Sequence, residues 1–191
     1  MNIYVLCGHP QRNSLCGHLA ELYAQKAMAR GHNVRVQFLD EMRFDPILHS
    51  GYKEIQALEP DLLQAQENIL WCKHWVIVYP VWWGSLPALL KGFLDRTMHP
   101  GFAFKYRENS YMWDKYLMGR SAELIATSDA PPQWLSLMYH SSDFRTLKNA
   151  TLSFCGLRPI KTRRIARVKY KTREQLLKEA EKKIFDKIKY S

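Results

Sequence analysis

Two adjacent indoles, Trp82 and Trp83, follow a run of Val76, Ile77, Val78 and Tyr79 and precede Gly84. The run lacks polar alternation, as expected of a parallel strand buried on both faces. Pro80 ends it, and Val81 opens the loop that carries the indoles. The carboxyl end of a buried strand is where open α/β sheets take up ligands, and the chemistry two large rings offer there is stacking on a flat aromatic cofactor. The alternative is that both rings are core, but loops that bury two such rings are uncommon. Pro87 suits the first turn of a helix, where no N–H partner is needed, and that helix is expected from Pro87 to about Met98.

A second candidate lies near the start of the chain. Asn2 to Leu6 reads as a buried strand, and Cys7-Gly8-His9-Pro10 leads into Gln11-Arg12-Asn13-Ser14. Leu15, Leu19, Leu22, Tyr23 and Ala27 then recur at helical spacing, with Ser14 able to cap the helix and Gly31 to stop it. Free N–H groups and the positive end of the helix dipole make such a loop a phosphate site, with His9, Arg12, Asn13 and Ser14 as further donors. It is neither a P-loop nor a GxGxxG, and a capped helix after a strand is commonplace. A third loop, Ser128-Asp129-Ala130-Pro131-Pro132, ends the strand expected over Ser121 to Thr127.

The elements that must position these loops follow from periodicity. Asn33 to Leu39 alternates as a strand nearer the sheet edge does. Asp40 to Pro60, containing Phe44-Asp45-Pro46, is a long connection of the kind that is functional or covers something. Asp61 to Cys72 is expected to be a helix with Leu62, Leu63, Ile69 and Leu70 facing inward. Phe102, Phe104 and Tyr106 alternate along an extended segment with their rings on one side. Trp134, Tyr139 and His140 lie in a stretch without an assignable period. Asp143 to Cys155 reads as a helix stopping at Gly156, and Pro159 to Val168 as the fifth strand. Thr172 and Gln175 form a capping box before a helix with a stripe at Leu176, Leu177, Ala180, Ile184 and Ile188.

Strands alternating with helices give an α/β fold, a doubly wound five-stranded parallel sheet with helices on both faces. Spacing does not fix strand order. The common order 2-1-3-4-5 brings the loops after strands 1, 3 and 4 together at one edge. No repeat, linker or low-complexity segment divides the chain, so residues 1–191 are expected to be one domain.

Composition narrows the class. Hydrophobic content of 47% and charged content of 24% are ordinary for a globular protein, which argues against disorder. Neither a basic leader nor an apolar stretch approaching a membrane span is seen, and a cytoplasmic location is expected. Cys7, Cys16, Cys72 and Cys155 lack metal-ligand spacing and sit in or beside apolar elements, so reduced thiols, no disulfide and no metal site are expected. The formal net charge of +10 raises anionic ligands, nucleic acid or a membrane surface as partners. Much of it follows Leu157, where a solvated strand edge and helix face explain it equally well. No nucleic-acid binding is expected. Strand alternation sends some of Lys161, Arg163, Arg164, Arg167 and Lys169 to opposite faces, and no aromatic platform interleaves with them.

Taken in order, the motifs resemble a known family. Gly8-His9-Pro10 followed by Ser14-Leu15, Phe44-Asp45-Pro46, Tyr79-Pro80-Val81-Trp82-Trp83, Pro87-Ala88-Leu89-Leu90-Lys91-Gly92-Phe93, Asp95-Arg96, Gly101-Phe102-Ala103-Phe104 and Phe154-Cys155-Gly156 together are similar to the NAD(P)H:quinone oxidoreductase family of flavodoxin-like flavoproteins. The resemblance spans most of the chain. It implies a flavin, FMN in preference to FAD, bound at the three loops, a homodimer with the active site near the subunit interface, and two-electron reduction of quinones or similar small-molecule acceptors by NAD(P)H. It implies phosphate binding at His9 and at Asn13, Ser14, Leu15 and Cys16, isoalloxazine binding at Pro80, Val81, Trp82, Trp83 and Gly84, and a second flavin loop at Thr127, Ser128, Asp129 and Ala130. Two departures stand out: Cys16 replaces an Asn, and Thr127-Ser128-Asp129-Ala130 replaces Thr-Thr-Gly-Gly. The family's Tyr and His beside the flavin have no clean counterpart, since Tyr139 and His140 lie at another spacing. The same family includes ancillary subunits of membrane antiporters, so peripheral contact between the basic face and a membrane protein is an alternative.

Overall fold

The computed structural model describes residues 1–54 and 56–184 of the chain. Its centre is the strand β3, His74–Pro80, in which every residue is buried. That is the physical consequence of an unbroken apolar run flanked on both sides by parallel neighbours. β1 (Asn2–Cys7) pairs with it on one side and β6 (Ser121–Ser128) on the other. β2 (Asn33–Phe38) and β7 (Ile160–Ala166) form the edges, giving the parallel order β2-β1-β3-β6-β7. This is the 2-1-3-4-5 arrangement expected from sequence, with β6 and β7 as its fourth and fifth strands.

Two apolar layers flank the sheet. On one face α1 (Leu15–Met28) and α6 (Arg173–Lys183) cover Ile3, Val5, Val76, Val78 and Ile125 through Leu19, Tyr23, Leu176 and Ala180. On the other, α2 (Pro60–Trp71) and α3 (Ala88–Thr97) cover Tyr4, Leu6, Trp75 and Ile77 through Leu62, Ile69, Leu90 and Phe93. The expected stripe of α2 needs correction. Leu63 and Leu70 are exposed, and the positions beside Leu62 and Ile69 are filled by Ala65 and Asn68, because the helix turns its bulky neighbours to solvent. Asn68 stays buried because its amide donates to Gln37 Oε1 at 2.9 Å and its oxygen accepts from Arg35 at 3.0 Å. The capping box of α6 forms as expected, and Leu176, Ala180 and Ile184 are buried; Ile188 lies outside the described residues.

The long connection after β2 carries no regular element, yet it is strapped down. Buried Arg96 of α3 donates to the carbonyl of Ala57 at 2.7 Å and to Glu59 at 2.8 Å, and also bonds the carbonyl of Asp45. Gly92 lets Pro46 sit against the helix, since a Cβ there would lie 2.5 Å from the proline. After α3 the aromatic segment forms an antiparallel hairpin, β4 (Phe104–Tyr106) with β5 (Trp113–Lys115), outside the main sheet. Trp113 stacks on Phe154 at 4.4 Å, while Tyr111 at its tip is wholly exposed. The unassigned stretch is a helix, α4 (Pro132–Tyr139), followed by a single turn, α5 (Ser142–Phe144), that continues as a π-helix over Arg145–Ser153.

Candidate functional site

The loops after β1, β3 and β6 meet at the carboxyl edge of the sheet around a cavity of about 260 Å³. His9, Leu15, Cys16, Pro80, Val81, Trp82, Thr127, Ser128 and Asp129 line it, and Val168, which the sequence did not single out, closes one side. Bonds between the loops hold them together. Val81 N–H donates to the Thr127 carbonyl at 2.8 Å, and the Cys16 thiol lies 3.2 Å from the Thr127 hydroxyl. Asn13 and Ser14 face a neighbouring hollow of about 580 Å³ that shares Leu15 with this cavity and is flanked by Arg12 and Arg173. Trp83, Gly84 and Ala130 lie outside both linings.

The first loop presents donors. The Ser14 hydroxyl accepts from Gly17 N–H, and His18 N–H is taken by the Ser14 carbonyl. Among the described residues the first-turn amides of Leu15 and Cys16 have no acceptor, which leaves two N–H groups at the positive end of α1. Gly17 makes the tight loop sterically feasible, because a Cβ there would stand 1.9 Å from the Arg12 carbonyl oxygen. A glycine in the first turn after a cap is the signal sequence reading passed over. His9 Nδ1 accepts from Gln11 N–H at 3.0 Å, so its Nε2 carries the proton, and partial burial lowers its pKa from the usual 6.5 and favours that neutral form. Arg12, expected as a phosphate donor, is instead engaged with Glu21 at 2.8 Å and Glu41 at 2.6 Å. Burial pushes the Cys16 thiol up to about 12, so it stays protonated and adds no negative charge beside the helix terminus.

The second loop is a strained turn. Trp82 and Ser85 exchange N–H···O bonds at 3.1 and 2.9 Å, with Trp83 (φ 51°) and Gly84 (φ 71°) both left-handed between them, as in a type I′ turn. A tryptophan in that position is costly and persists only where its surroundings hold it. Trp82 leans its ring against His9, centroids 5.7 Å apart, and is 43% exposed; Trp83 is 99% exposed. Neither ring is core. The hold on the turn comes from the end of α4 and the segment after it. Tyr139 packs over Gly84, where a Cβ would lie 2.9 Å from its ring, and the Ser142 hydroxyl donates to the Gly84 carbonyl.

That segment is itself fastened from below. His140 and Ser141 are both left-handed, which turns the chain so that Asp143 points into the core. Asp143 accepts from Arg164 at 2.9 Å on each oxygen and from the Tyr79 hydroxyl at 3.1 Å, tying α5 to β7 and β3. Burial, then the neighbouring Asp143, pushes the Tyr79 hydroxyl well above its usual range, so it remains a donor. Arg163, on the opposite face of β7, pairs with Glu123 at 3.2 Å. Two of the basic residues noted in the sequence are thus committed to carboxylates on opposite faces of the sheet.

A family model described as a flavodoxin-like fold matches residues 1–188. The chain belongs to the flavodoxin-like family. An uncharacterised NAD(P)H oxidoreductase of Escherichia coli, YcaK, is 33% identical over 107 residues, 53% of this chain, so the chain matches about half (55%) of that protein's length. Mouse ribosyldihydronicotinamide dehydrogenase [quinone] is 26% identical over 82% of this chain and 77% of its own. The solved NAD(P)H:quinone oxidoreductase of Methanothermobacter marburgensis shares the fold, with a TM-score of 0.78 at 23% identity over 95% of this chain and 96% of that one. The motif resemblance noted in the sequence pointed to the same family. Among the described residues no helix is long and apolar enough to cross a membrane, no group of side chains could hold a metal ion, and all four cysteines are free and buried.

Proposed function

We propose that this chain is a flavin-dependent NAD(P)H oxidoreductase that gives two-electron reduction of quinones or similar small acceptors. The observation that carries the reading is the convergence, around one cavity, of two acceptor-free amides at a capped helix start and the indole of Trp82. These groups suit a flavin: the Leu15 and Cys16 amides, with His9 Nε2–H, would hold its phosphate, and Trp82, Val81 and the Pro80 backbone would border its ring system. Hydride transfer is the chemistry a bound flavin supplies there. The protein's part is placement. The Ser142 bond to Gly84 and the Tyr139 ring hold the Trp82 turn, and Thr127 holds the first and second loops in register. The names of the family relatives as NAD(P)H oxidoreductases and quinone dehydrogenases support the same reading.

The finer assignments are parts of this proposal. FMN would be held at the cavity beside Trp82 and the helix start at Leu15, whereas the larger FAD would extend past Leu15 into the hollow flanked by Arg12 and Arg173. A homodimer is supported by Tyr106, Tyr111 and Met112, which the hairpin leaves exposed. Free buried thiols suit a reducing cytoplasm. The test is steady-state consumption of NADH and NADPH by the flavin-loaded protein with a benzoquinone as acceptor. Consumption that depends on both flavin and quinone is expected with at least one nicotinamide, and its absence with both contradicts the reading.

A further inference from the structure

Most of the buried or bridged carboxylates of this chain face a cation: Glu59 faces Arg96, Glu123 faces Arg163, Asp143 faces Arg164 and Glu179 faces Lys171. Asp129 differs. It is exposed, lines the cavity with Trp82 and Thr127 and, like Asp40 and Asp61, accepts from a backbone N–H rather than an ion-pair partner among the described residues. Its Oδ1 accepts from the backbone N–H of Lys169 at 2.9 Å, which fixes the carboxylate on the cavity wall. In a chain of net charge +10, this places a held negative charge beside the cavity where the three loops converge.

We propose that the Asp129 carboxylate lowers the reduction potential of the flavin bound in this cavity. The inference rests on the flavin reading above. Asp129 is exposed, but a cavity of 260 Å³ is roughly 8 Å across as a sphere, about one Debye length at physiological salt, so its charge is only partly screened from a group inside. Reduction adds negative charge to a flavin at neutral pH, and a neighbouring protein charge is one of the levers on its potential. A fixed carboxylate therefore favours the oxidised over the reduced form. The consequence is directional: the reduced protein becomes a stronger donor to its acceptor and a weaker acceptor of hydride from NAD(P)H. The bond to Lys169 also has a plain loop-fixing role, and charge and bond can be separated. Asp129→Asn keeps an oxygen for the Lys169 amide and removes only the charge.

The experiment is a midpoint-potential titration of the parent, Asp129→Asn, Asp129→Ala and Asp129→Glu, each loaded with FMN and, in parallel, FAD. Asparagine and alanine are expected to tighten binding of the reduced flavin relative to the oxidised by about tenfold, an upward shift of about 30 mV for a two-electron couple. Glutamate should stay at the parent's potential. If either neutral variant is too unstable to load, the other decides. Loaded variants whose potentials equal the parent's overturn the inference while leaving the flavin reading intact. Failure of the parent itself to bind either flavin overturns both.

Discussion

The two edges of the central sheet are built from similar residue types and use them in opposite ways. At the amino edge, His74 bonds Ser121 at 2.7 Å, and Glu123 takes bonds from Tyr23 and Arg163 at 3.2 Å each, so polar groups are consumed in closed contacts. At the carboxyl edge, the amides of Leu15 and Cys16 lack acceptors among the described residues, Trp83 is held left-handed and wholly exposed, and Asp129 has no cation. A tryptophan at one edge, Trp75, is fully buried, and its neighbours in sequence seven and eight residues on are not. Open polar groups and local strain at one edge mark where a ligand would complete the structure. Closed ones mark where the fold completes itself.

If that contrast holds, changes at the amino edge should move stability and leave ligand binding alone. Glu123→Ala leaves Arg163 without its partner in a largely buried position and is expected to destabilise the fold by about 3 kcal/mol, measured by urea unfolding, with flavin affinity unchanged. A parallel loss of flavin binding in the folded variant would break the contrast.

A pH series sharpens it. Burial lowers the pKa of His74 to about 4 from the ordinary 6.5, so the unfolded chain binds the proton more readily than the folded one between those values. The His74 contribution is therefore fully present above pH 6.5 and is lost as pH falls towards 4, by up to about 3 kcal/mol. Unfolding of the parent against His74→Gln across that window should show the difference between them shrinking as pH falls. A constant difference would mean that His74 does not titrate with folding.

The smallest stability effect and the clearest binding effect belong to the carboxyl edge. Trp82→Ala should weaken flavin binding by on the order of 1 to 3 kcal/mol through lost ring contact, with a thermal midpoint close to the parent's in the absence of flavin. Isothermal titration with FMN beside thermal unfolding reads both. A large fall in thermal midpoint with intact flavin affinity would make the ring a structural element, contrary to its exposure.

Much of this contrast is legible in the sequence because strands buried on both faces leave an unmistakable signature. Asn2 to Leu6, Val76 to Tyr79 and Ser121 to Thr127 announced the three central strands, and the residues directly after them became the cavity. The losses have physical causes. α4 buries only Leu135, so Pro132–Tyr139 shows no stripe. In α2, leucines at adjacent positions hid the fact that a small and a polar residue, Ala65 and Asn68, complete the inward face. The alternation of Phe104 and Tyr106 does register and falls in β4, but its partner β5, three residues long, is too short to show a period, so the pairing into a hairpin is not legible. Val168 reaches the cavity from the turn after β7, and Ser142 reaches Gly84 from 58 positions away, contacts that no local pattern encodes.

The central claim, that the carboxyl edge is a flavin site, is tested most directly by the visible absorption spectrum of the purified protein before and after addition of FMN or FAD, with chromatography of the cofactor released by acid. A flavin spectrum, either as purified or on reconstitution, together with one released species, FMN or FAD, is the expected result. A colourless protein that takes up neither flavin would contradict the account.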